Sequence, residues 1–179
     1  MPAELLMADW IFGYGSLIWN PEVDFNHSAL GRVHGYHRSF CIHSTLYRGT
    51  PDEPGVVLGL MRGGSCVGVA FRLAEASRRD SIERLYAREM LNSVYVPTLA
   101  SVKLSDGRQV RALTFVANPA STSFRRLTEG EILSRLTRAR GQRGPNRDYA
   151  INTHQSLRER GVQDNRLSRL VARLGDAPR

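Results

Sequence analysis

Cysteine is scarce in this sequence, and long hydrophobic runs are missing from it. The 179 residues include only two cysteines, Cys41 and Cys66, which are too few for a disulfide scaffold and are typical of a reducing compartment. No stretch approaches the length of a membrane-spanning helix, and the first ten residues lack the basic start and apolar core of a signal peptide. The sequence therefore predicts a cytoplasmic protein without a membrane partner.

Motifs that bind nucleotides or metals are also missing. The glycine-rich segment FGYGSLI has Ile18 where a dinucleotide fingerprint or a nucleophile elbow needs glycine, and it lacks the Gly-Lys pair of a phosphate loop. His37, Cys41 and His43 would share one face of a strand, but no distant pair of cysteines or histidines completes a tetrahedral set. We therefore expect no metal and no cofactor.

Positive charge is plentiful, and arginine supplies nearly all of it. The formal net charge is +8 and the isoelectric point is about 10.3. The densest tracts, residues 125–147 and 158–173, also carry regularly spaced apolar residues and no aromatic stacking motif. This pattern is more typical of solvated helical faces than of nucleic-acid sites. We expect no specific nucleic-acid partner, and a basic regulatory or nucleic-acid-binding protein is the non-enzymatic alternative.

The pattern of strands, turns and helices predicts one α+β domain over residues 1–179. The segments RGGS (62–65) and SDGR (105–108) are each expected to turn a hairpin, and many short strands with tight turns favour a small barrel or a strongly curled sheet. One helix is expected between these hairpins, beginning at a capping box formed by Ser77 and Asp80. Three more helices are expected near the C-terminal end.

Glu89 lies on the apolar stripe of the helix that is predicted between the two hairpins. Ile82, Leu85 and Tyr86 recur at helical spacing, and Glu89 continues the same stripe. An acidic side chain on such a stripe must be paired, protonated or used. Burial and the helix dipole both raise the pKa of such a carboxyl toward the range of a general base. From the residues alone, Glu89 is either a general base or the buried ion-pair partner of an arginine.

The segment GYGSL, which ends an apolar run, is the second candidate site. Gly13 and Gly15 allow unusual dihedral angles and close approach of a ligand to the backbone. The consecutive N–H groups from Tyr14 to Leu17 would then be free to hold an anion or a carbonyl oxygen. A tight turn at the rim of a barrel explains the same glycines equally well.

Five segments of the chain form a recognisable set in this order. They are WIFGYGSLIWNP (10–21), HRSFCIHSTLYRGTPDEPG (37–55), GVAFRL (68–73), REM (88–90) and GPNRDY (144–149). Together they resemble the ChaC family of glutathione-specific gamma-glutamylcyclotransferases, particularly its bacterial members, which share the segment MLNSVYVP after Glu89. The resemblance implies a gamma-glutamylcyclotransferase-like fold, in which a small barrel or curled mixed sheet carries peripheral helices. It also implies that the gamma-glutamyl amide of glutathione is broken to give 5-oxoproline and cysteinylglycine.

The resemblance also implies the residues of the site. The family's essential glutamate corresponds to Glu89, and its tyrosine-glycine-serine-leucine loop corresponds to Tyr14, Gly15, Ser16 and Leu17. The alpha-amine of the substrate attacks its own gamma-carbonyl, so the protein needs to supply no nucleophile and no metal. Further polar contacts to the substrate are expected from Arg48, which is suited to a carboxylate, and from Ser44, Thr45 and Tyr149. A cyclotransferase for other gamma-glutamyl amines or dipeptides is the alternative within enzymes.

Overall fold

The computed structural model describes residues 1–90 and 93–175. Leu91 and Asn92, which belong to the segment that marks the bacterial members, therefore lie outside the described residues. The chain divides into two compact units, the first formed by Met1–Ser39 and Gly59–Ser121 and the second by Phe40–Leu58 and Thr122–Arg179. The single domain over residues 1–179 stays a prediction. Within the described ranges, no helix is long and apolar enough to cross a bilayer.

Five strands form a closed barrel, which confirms the predicted small barrel of the α+β class. The strands are β1 (Trp10–Gly13), β2 (Phe25–Ser44), β3 (Gly55–Leu73), β4 (Tyr95–Leu104) and β5 (Gln109–Ala117). Their order around the barrel is β1-β3-β2-β4-β5. The short strand β1 closes it, because β1 pairs antiparallel with β3 and parallel with β5. Closure leaves few open sheet edges, which is the usual reason for a barrel among strands of this length.

The first unit buries apolar side chains of the barrel strands together with two helices. The helices are α1 (Ala3–Leu6) and α2 (Arg78–Glu89). Ile82 and Leu85 of α2 pack in one cluster with Ile11, Leu17 and Phe115. Burial of each such side chain contributes about 1.5–3 kcal/mol relative to leaving it exposed. This cluster confirms the apolar stripe of α2, and it ties that helix to the segment that follows β1.

One of the two predicted hairpins is confirmed and the other is wrong. Strands β4 and β5 pair antiparallel from Tyr95↔Ala117 to Lys103↔Gln109, and Gly107 adopts a φ of 91° in the turn. The segment RGGS instead lies within β3, which runs through it without reversing. Gly63 and Gly64 adopt positive φ there, as glycines do in strand bulges. The glycine pair therefore bends a long strand and does not turn the chain back.

The predicted capping box at the start of α2 is also wrong. Ser77 occupies the N-cap position of α2, but its side chain makes no capping hydrogen bond. A short 3-10 helix, Glu75–Ser77, runs directly into α2. Ser77 consequently has φ −118° and ψ 10°, outside the extended conformation from which an N-cap hydroxyl reaches the first turn.

The second unit contains three helices, as the sequence predicts. They are α3 (Glu129–Arg138), α4 (Asn146–Glu159) and α5 (Asn165–Gly175), and a two-stranded turn of β6 (Arg140–Gly141) and β7 (Gly144–Pro145) precedes α4. Thr128 and Glu131 form a reciprocal capping box at α3, and Gly161 adopts a φ of 75° just beyond α4. The start of α3 and the end of α4 thus follow ordinary capping chemistry.

Candidate active site

The segment after β1 leaves the barrel sheet in a tight turn. Ser16–Ile18 form a short 3-10 helix, and the Leu17 side chain lies close to Gly13 at the end of β1. A Cβ atom on Gly13 would lie 2.9 Å from the Leu17 Cβ, closer than two such atoms approach. Glycine at position 13 therefore permits the fold-back that buries Leu17, and this is the local reason for the first glycine of GYGSL.

Three consecutive N–H groups in this turn have no acceptor among residues 1–90 and 93–175. Among the hydrogen bonds of the described residues, none is donated by the backbone N–H of Gly15, Ser16 or Leu17. Gly15 and Leu17 are buried and Ser16 is half-buried. A buried N–H group that lacks a partner costs about 1–3 kcal/mol, so successive orphan donors of this kind indicate a site for an anion or a carbonyl oxygen. That these N–H groups bind a ligand stays a prediction.

Tyr14 anchors the turn to the barrel. Its hydroxyl donates a hydrogen bond of 2.6 Å to the carbonyl oxygen of Phe115 on β5. Its ring is buried, so the Tyr14 side chain holds the turn in a fixed position against β5.

Glu89 ends α2 and lies in an ion pair. The Nε atom of Arg88 is 3.0 Å from Glu89 Oε1, and the Glu89 side chain is 15% exposed. The same guanidinium donates from Nη2 to Ser16 Oγ at 3.0 Å. Arg88 therefore connects the carboxylate to the turn after β1. This ion pair offsets part of the cost of burying the Glu89 carboxylate.

Glu22 is the second carboxylate on Arg88. Its Oε2 atom lies 2.8 Å from Arg88 Nη1, and its Oε1 accepts from Asn20 Nδ2 at 2.7 Å. Glu22 adopts a φ of 52°, a left-handed conformation that is uncommon outside glycine. Neither Arg88 nor Glu22 is predicted from the sequence as a site residue. The segment REM places Arg88 beside Glu89 in the sequence, but no spacing rule connects Glu22 to Arg88, which lies far along the chain.

Arg48 forms the centre of the second unit's candidate residues. It is 7% exposed, its Nη1 donates to the carbonyl oxygen of Pro145 at 3.1 Å, and its guanidinium lies 5.7 Å from the centre of the Tyr149 ring. Burial lowers the pKa of Arg48 from its ordinary value, whereas the nearby Tyr149 and Asp148 act to raise it. A buried guanidinium held by a carbonyl and an aromatic face is suited to a carboxylate ligand.

The other predicted contacts in the second unit have different surroundings. Ser44 Oγ accepts the Arg48 backbone N–H at 3.1 Å, and the Tyr149 hydroxyl accepts the buried N–H of Leu58 at 3.2 Å. Thr45 is exposed. The Asn146 side chain makes two hydrogen bonds to the backbone of Val56: its Oδ1 accepts the Val56 N–H, and its Nδ2 donates to the Val56 carbonyl oxygen. Ser44, Arg48 and Tyr149 thus lie together in the second unit, while residues 14–17 and Glu89 lie together in the first.

The strand histidines take part in local hydrogen bonds. His37 Nδ1 lies 3.0 Å from the carbonyl oxygen of Gly63. His43 Nδ1 lies 2.9 Å from Arg135 Nη1, and burial, then Arg135 and Arg125, lower the pKa of His43. Across residues 1–90 and 93–175, no three His, Cys, Asp or Glu side chains are grouped as metal ligands.

The arrangement of strands and helices is that of the gamma-glutamylcyclotransferase fold. A solved structure of a yeast gamma-glutamyl cyclotransferase specific to glutathione matches with a TM-score of 0.87 and 21% identity, covering 94% of this chain and 96% of the yeast chain. The family model for ChaC-like proteins matches residues 9–176. The chain therefore belongs to the ChaC-like family.

Named relatives of high similarity come from bacteria and plants. The glutathione-specific gamma-glutamylcyclotransferase of Escherichia coli K12 is 39% identical over 163 residues, which cover 90% of this chain and 71% of the relative. Gamma-glutamylcyclotransferase 2-3 of Arabidopsis thaliana is 34% identical, covering 92% of this chain and 87% of the relative. The family indicated by the sequence motifs is confirmed.

Proposed function

We propose that the protein cleaves the gamma-glutamyl amide of glutathione and releases 5-oxoproline and cysteinylglycine. The names of the bacterial and plant relatives support this activity. The observation that carries it in this chain is the connection of Glu89, through Arg88, to a turn with three N–H groups that find no acceptor in the described part of the chain. That combination offers a proton acceptor and an oxygen-binding site, which are what an intramolecular cyclisation requires.

Glu89 acts as general base and then as general acid. The alpha-ammonium of the substrate must lose a proton before its nitrogen can attack, and the Glu89 carboxylate takes that proton. The amine nitrogen then forms a bond to the gamma-carbonyl carbon, and the bond from that carbon to the cysteinyl nitrogen breaks. Glu89 returns the proton to the departing nitrogen, which leaves as an amine. The ring nitrogen still carries two protons after the attack, and it loses one of them to Glu89. Transfer of this second proton to the released amine gives its ammonium form, so protons balance over the cycle. Such proton transfer contributes about 10²- to 10⁴-fold to the rate.

The turn after β1 binds a negatively charged oxygen of the substrate. The N–H groups of Gly15, Ser16 and Leu17 are aligned donors for either the alpha-carboxylate or the oxyanion that forms as the ring closes. Either contact holds the glutamyl half folded, with its amine near its own carbonyl. Much of the rate advantage then comes from proximity, since amine and carbonyl already belong to one molecule.

Arg48 binds a carboxylate of the substrate, and Ser44, Thr45 and Tyr149 supply weaker polar contacts. The support for Arg48 is its burial, which a guanidinium tolerates only with compensating partners. Glutathione carries two carboxylates, so a buried cation has an obvious ligand. The cytoplasmic location and the lack of a specific nucleic-acid partner stay predictions.

The decisive experiment is incubation of purified protein with reduced glutathione and with a panel of gamma-glutamyl dipeptides and amines, in the presence of a chelator. We expect 5-oxoproline and cysteinylglycine in equal amounts from glutathione. Turnover of the panel but not of glutathione would replace the proposed substrate by another gamma-glutamyl compound. Activity lost to the chelator and restored by zinc would overturn the metal-free mechanism.

A further inference from the structure

The antiparallel ladder between β1 and β3 ends at the pair of Gly13 and Val69, although its register would allow one more hydrogen-bonded pair. The N–H of Leu73 donates to the carbonyl oxygen of Asp9 at 2.9 Å, and Gly13 lies opposite Val69 in the same antiparallel register. Hydrogen-bonded pairs recur at every second residue of an antiparallel ladder. Extending this register by two residues would bring the Gly15 N–H to the carbonyl oxygen of Val67.

Arg38 takes that acceptor instead. Its Nη2 atom donates to the carbonyl oxygen of Val67 at 2.6 Å, and its Nε atom donates to the carbonyl oxygen of Tyr14 at 2.6 Å. One planar guanidinium on β2 thus joins the residue that follows β1 to the interior of β3. It satisfies the carbonyl that Gly15 would otherwise use, and the Gly15 N–H makes no protein hydrogen bond within the described residues.

We propose that Arg38 is a positioning residue that keeps the Gly15 N–H free for the substrate. In a trans peptide the carbonyl and the following N–H point in opposite directions. By fixing the carbonyl of Tyr14, Arg38 therefore also fixes the direction of the Gly15 N–H. The proposal rests on the proposed function only for the identity of the ligand. The replacement of a hydrogen bond between Gly15 and Val67 by the two Arg38 contacts is a property of the fold.

Lysine cannot replace this contact. Arginine presents several donors in a rigid plane, whereas lysine has a single ammonium on a flexible stem. An Arg38→Lys variant keeps the charge but cannot hold both carbonyl oxygens in the same geometry. The Gly15 N–H can then complete the ladder by bonding to Val67. Arg32→Lys is the matched control, because Arg32 also lies on β2, where its Nη1 bonds to the exposed Ser65 Oγ at 3.0 Å.

The kinetic test compares kcat/KM for glutathione per folded molecule. Complete loss of one oriented oxyanion donor costs about 10²- to 10³-fold. Because Arg38→Lys misdirects the Gly15 N–H without removing it, we expect a smaller loss of about tenfold to a hundredfold, and we expect Arg32→Lys to stay near wild type. In Arg38→Ala, added guanidinium at millimolar concentration should restore part of the lost rate, while ethylammonium should not. An Arg38→Lys enzyme with wild-type kcat/KM, or an Arg38→Ala enzyme that guanidinium leaves unchanged, would overturn the proposal.

A measurement without substrate separates this proposal from the proposed function. Amide hydrogen exchange of Gly15, followed in protein labelled with ¹⁵N-glycine, should be at least about tenfold slower in Arg38→Lys than in wild type, because the N–H gains the Val67 acceptor. Equal exchange in both proteins would contradict the proposal even if the kinetics agreed. A wild-type protein that releases no 5-oxoproline would refute the proposed function, while the exchange rates would still decide the role of Arg38.

Discussion

The two groups of candidate residues handle charge in opposite ways. In the first unit, the Arg88 guanidinium contacts two carboxylates and a hydroxyl. The backbone N–H groups of residues 15–17 in the adjacent turn have no acceptor among the described residues. In the second unit, the buried Arg48 is held by a carbonyl oxygen and an aromatic face, and the hydroxyls of Ser44 and Tyr149 accept backbone N–H groups. In the proposed function, the first group moves a proton and receives a negative oxygen. The second group presents a fixed cation to a substrate carboxylate.

This difference predicts a division between rate and affinity. A group that acts on developing charge stabilises the transition state more than the bound substrate, so its loss lowers kcat. A fixed cation contacts the substrate carboxylate before and during the reaction alike, so its loss mainly raises KM. Substitutions in the first unit should therefore lower mainly kcat, and substitutions in the second unit should raise mainly KM.

The largest effect is expected from Glu89→Gln. Glutamine keeps the shape and the hydrogen bonding of the side chain but cannot accept the ammonium proton, so kcat should fall about 10²- to 10⁴-fold with little change in KM. Release of 5-oxoproline, glutathione affinity and melting temperature are measured on the same sample. Glu83→Gln is the control, because Glu83 lies on the same helix in an exposed pair with Arg79.

The competing view of Glu89 as a structural ion-pair partner makes a different forecast. Removing its charge would leave the largely buried Arg88 with one carboxylate fewer, and truncating one member of a buried pair is destabilising. A variant with a lowered melting temperature but near-normal turnover per folded molecule would therefore end the general-base assignment.

Arg48→Lys should give the second largest effect. A charge-assisted hydrogen bond contributes about 1.5–3 kcal/mol, so KM for glutathione should rise by about tenfold to a hundredfold while kcat changes much less. Arg140→Lys is the control in the same unit, because Arg140 is exposed on β6. Steady-state kinetics over a wide range of glutathione concentration provide the measurement. A fall in kcat at constant KM would break the proposed division between the two units.

Local patterns in the sequence predicted the elements that depend on neighbouring residues. The apolar stripe of α2 was correct because a helix face is determined by residues three and four apart, and the Asp-Gly hairpin was correct because its turn is closed locally. The glycine pair of RGGS has a similar signature, yet it bends β3, because partners on a neighbouring strand determine whether glycines turn or bulge a chain.

Residues whose role depends on contacts distant in sequence were missed. Gly15 and Glu89 carry local signals, a glycine in a turn and an acid on an apolar stripe. Arg38 and Arg88 are two arginines among many, and their importance comes from contacts with Tyr14 and Ser16, which are distant in sequence. The fold shows that these two guanidiniums contact the turn after β1.

Tyr149→Phe should have a smaller effect, and chiefly on stability. The variant removes the oxygen that accepts the buried Leu58 N–H, and an unsatisfied buried donor costs about 1–3 kcal/mol. Urea unfolding should show that loss, with KM changed by no more than a few-fold. Thr153→Ser is a suitable control, since it retains the hydroxyl that donates to the Tyr149 carbonyl oxygen. A large increase in KM at unchanged stability would instead make Tyr149 a principal substrate contact.

The smallest expected effect is a loss of stability in mild acid that originates in the second unit. His43, which precedes Ser44, is partly buried beside Arg135 and Arg125, and these surroundings lower its pKa below the ordinary value of 6.5. The folded state therefore binds fewer protons than the unfolded state. The stabilisation is complete above pH 6.5 and is lost as the pH falls below that value through the folded pKa. Protonation at Nδ1 also removes the acceptor of the Arg135 hydrogen bond.

Urea unfolding at about pH 7.5 and about pH 5.5 measures this dependence across the range in which histidine titrates. Wild-type protein should be less stable at the lower pH, and His43→Gln should lose less between the two. His154 must be compared in parallel, since burial and Arg158 lower its pKa as well, and His154→Gln reports its share. If KM for glutathione rises in acid more for wild type than for His43→Gln, the protonation acts on the segment that carries Arg48. An identical pH dependence of stability in wild type and His43→Gln would show that His43 contributes none of it.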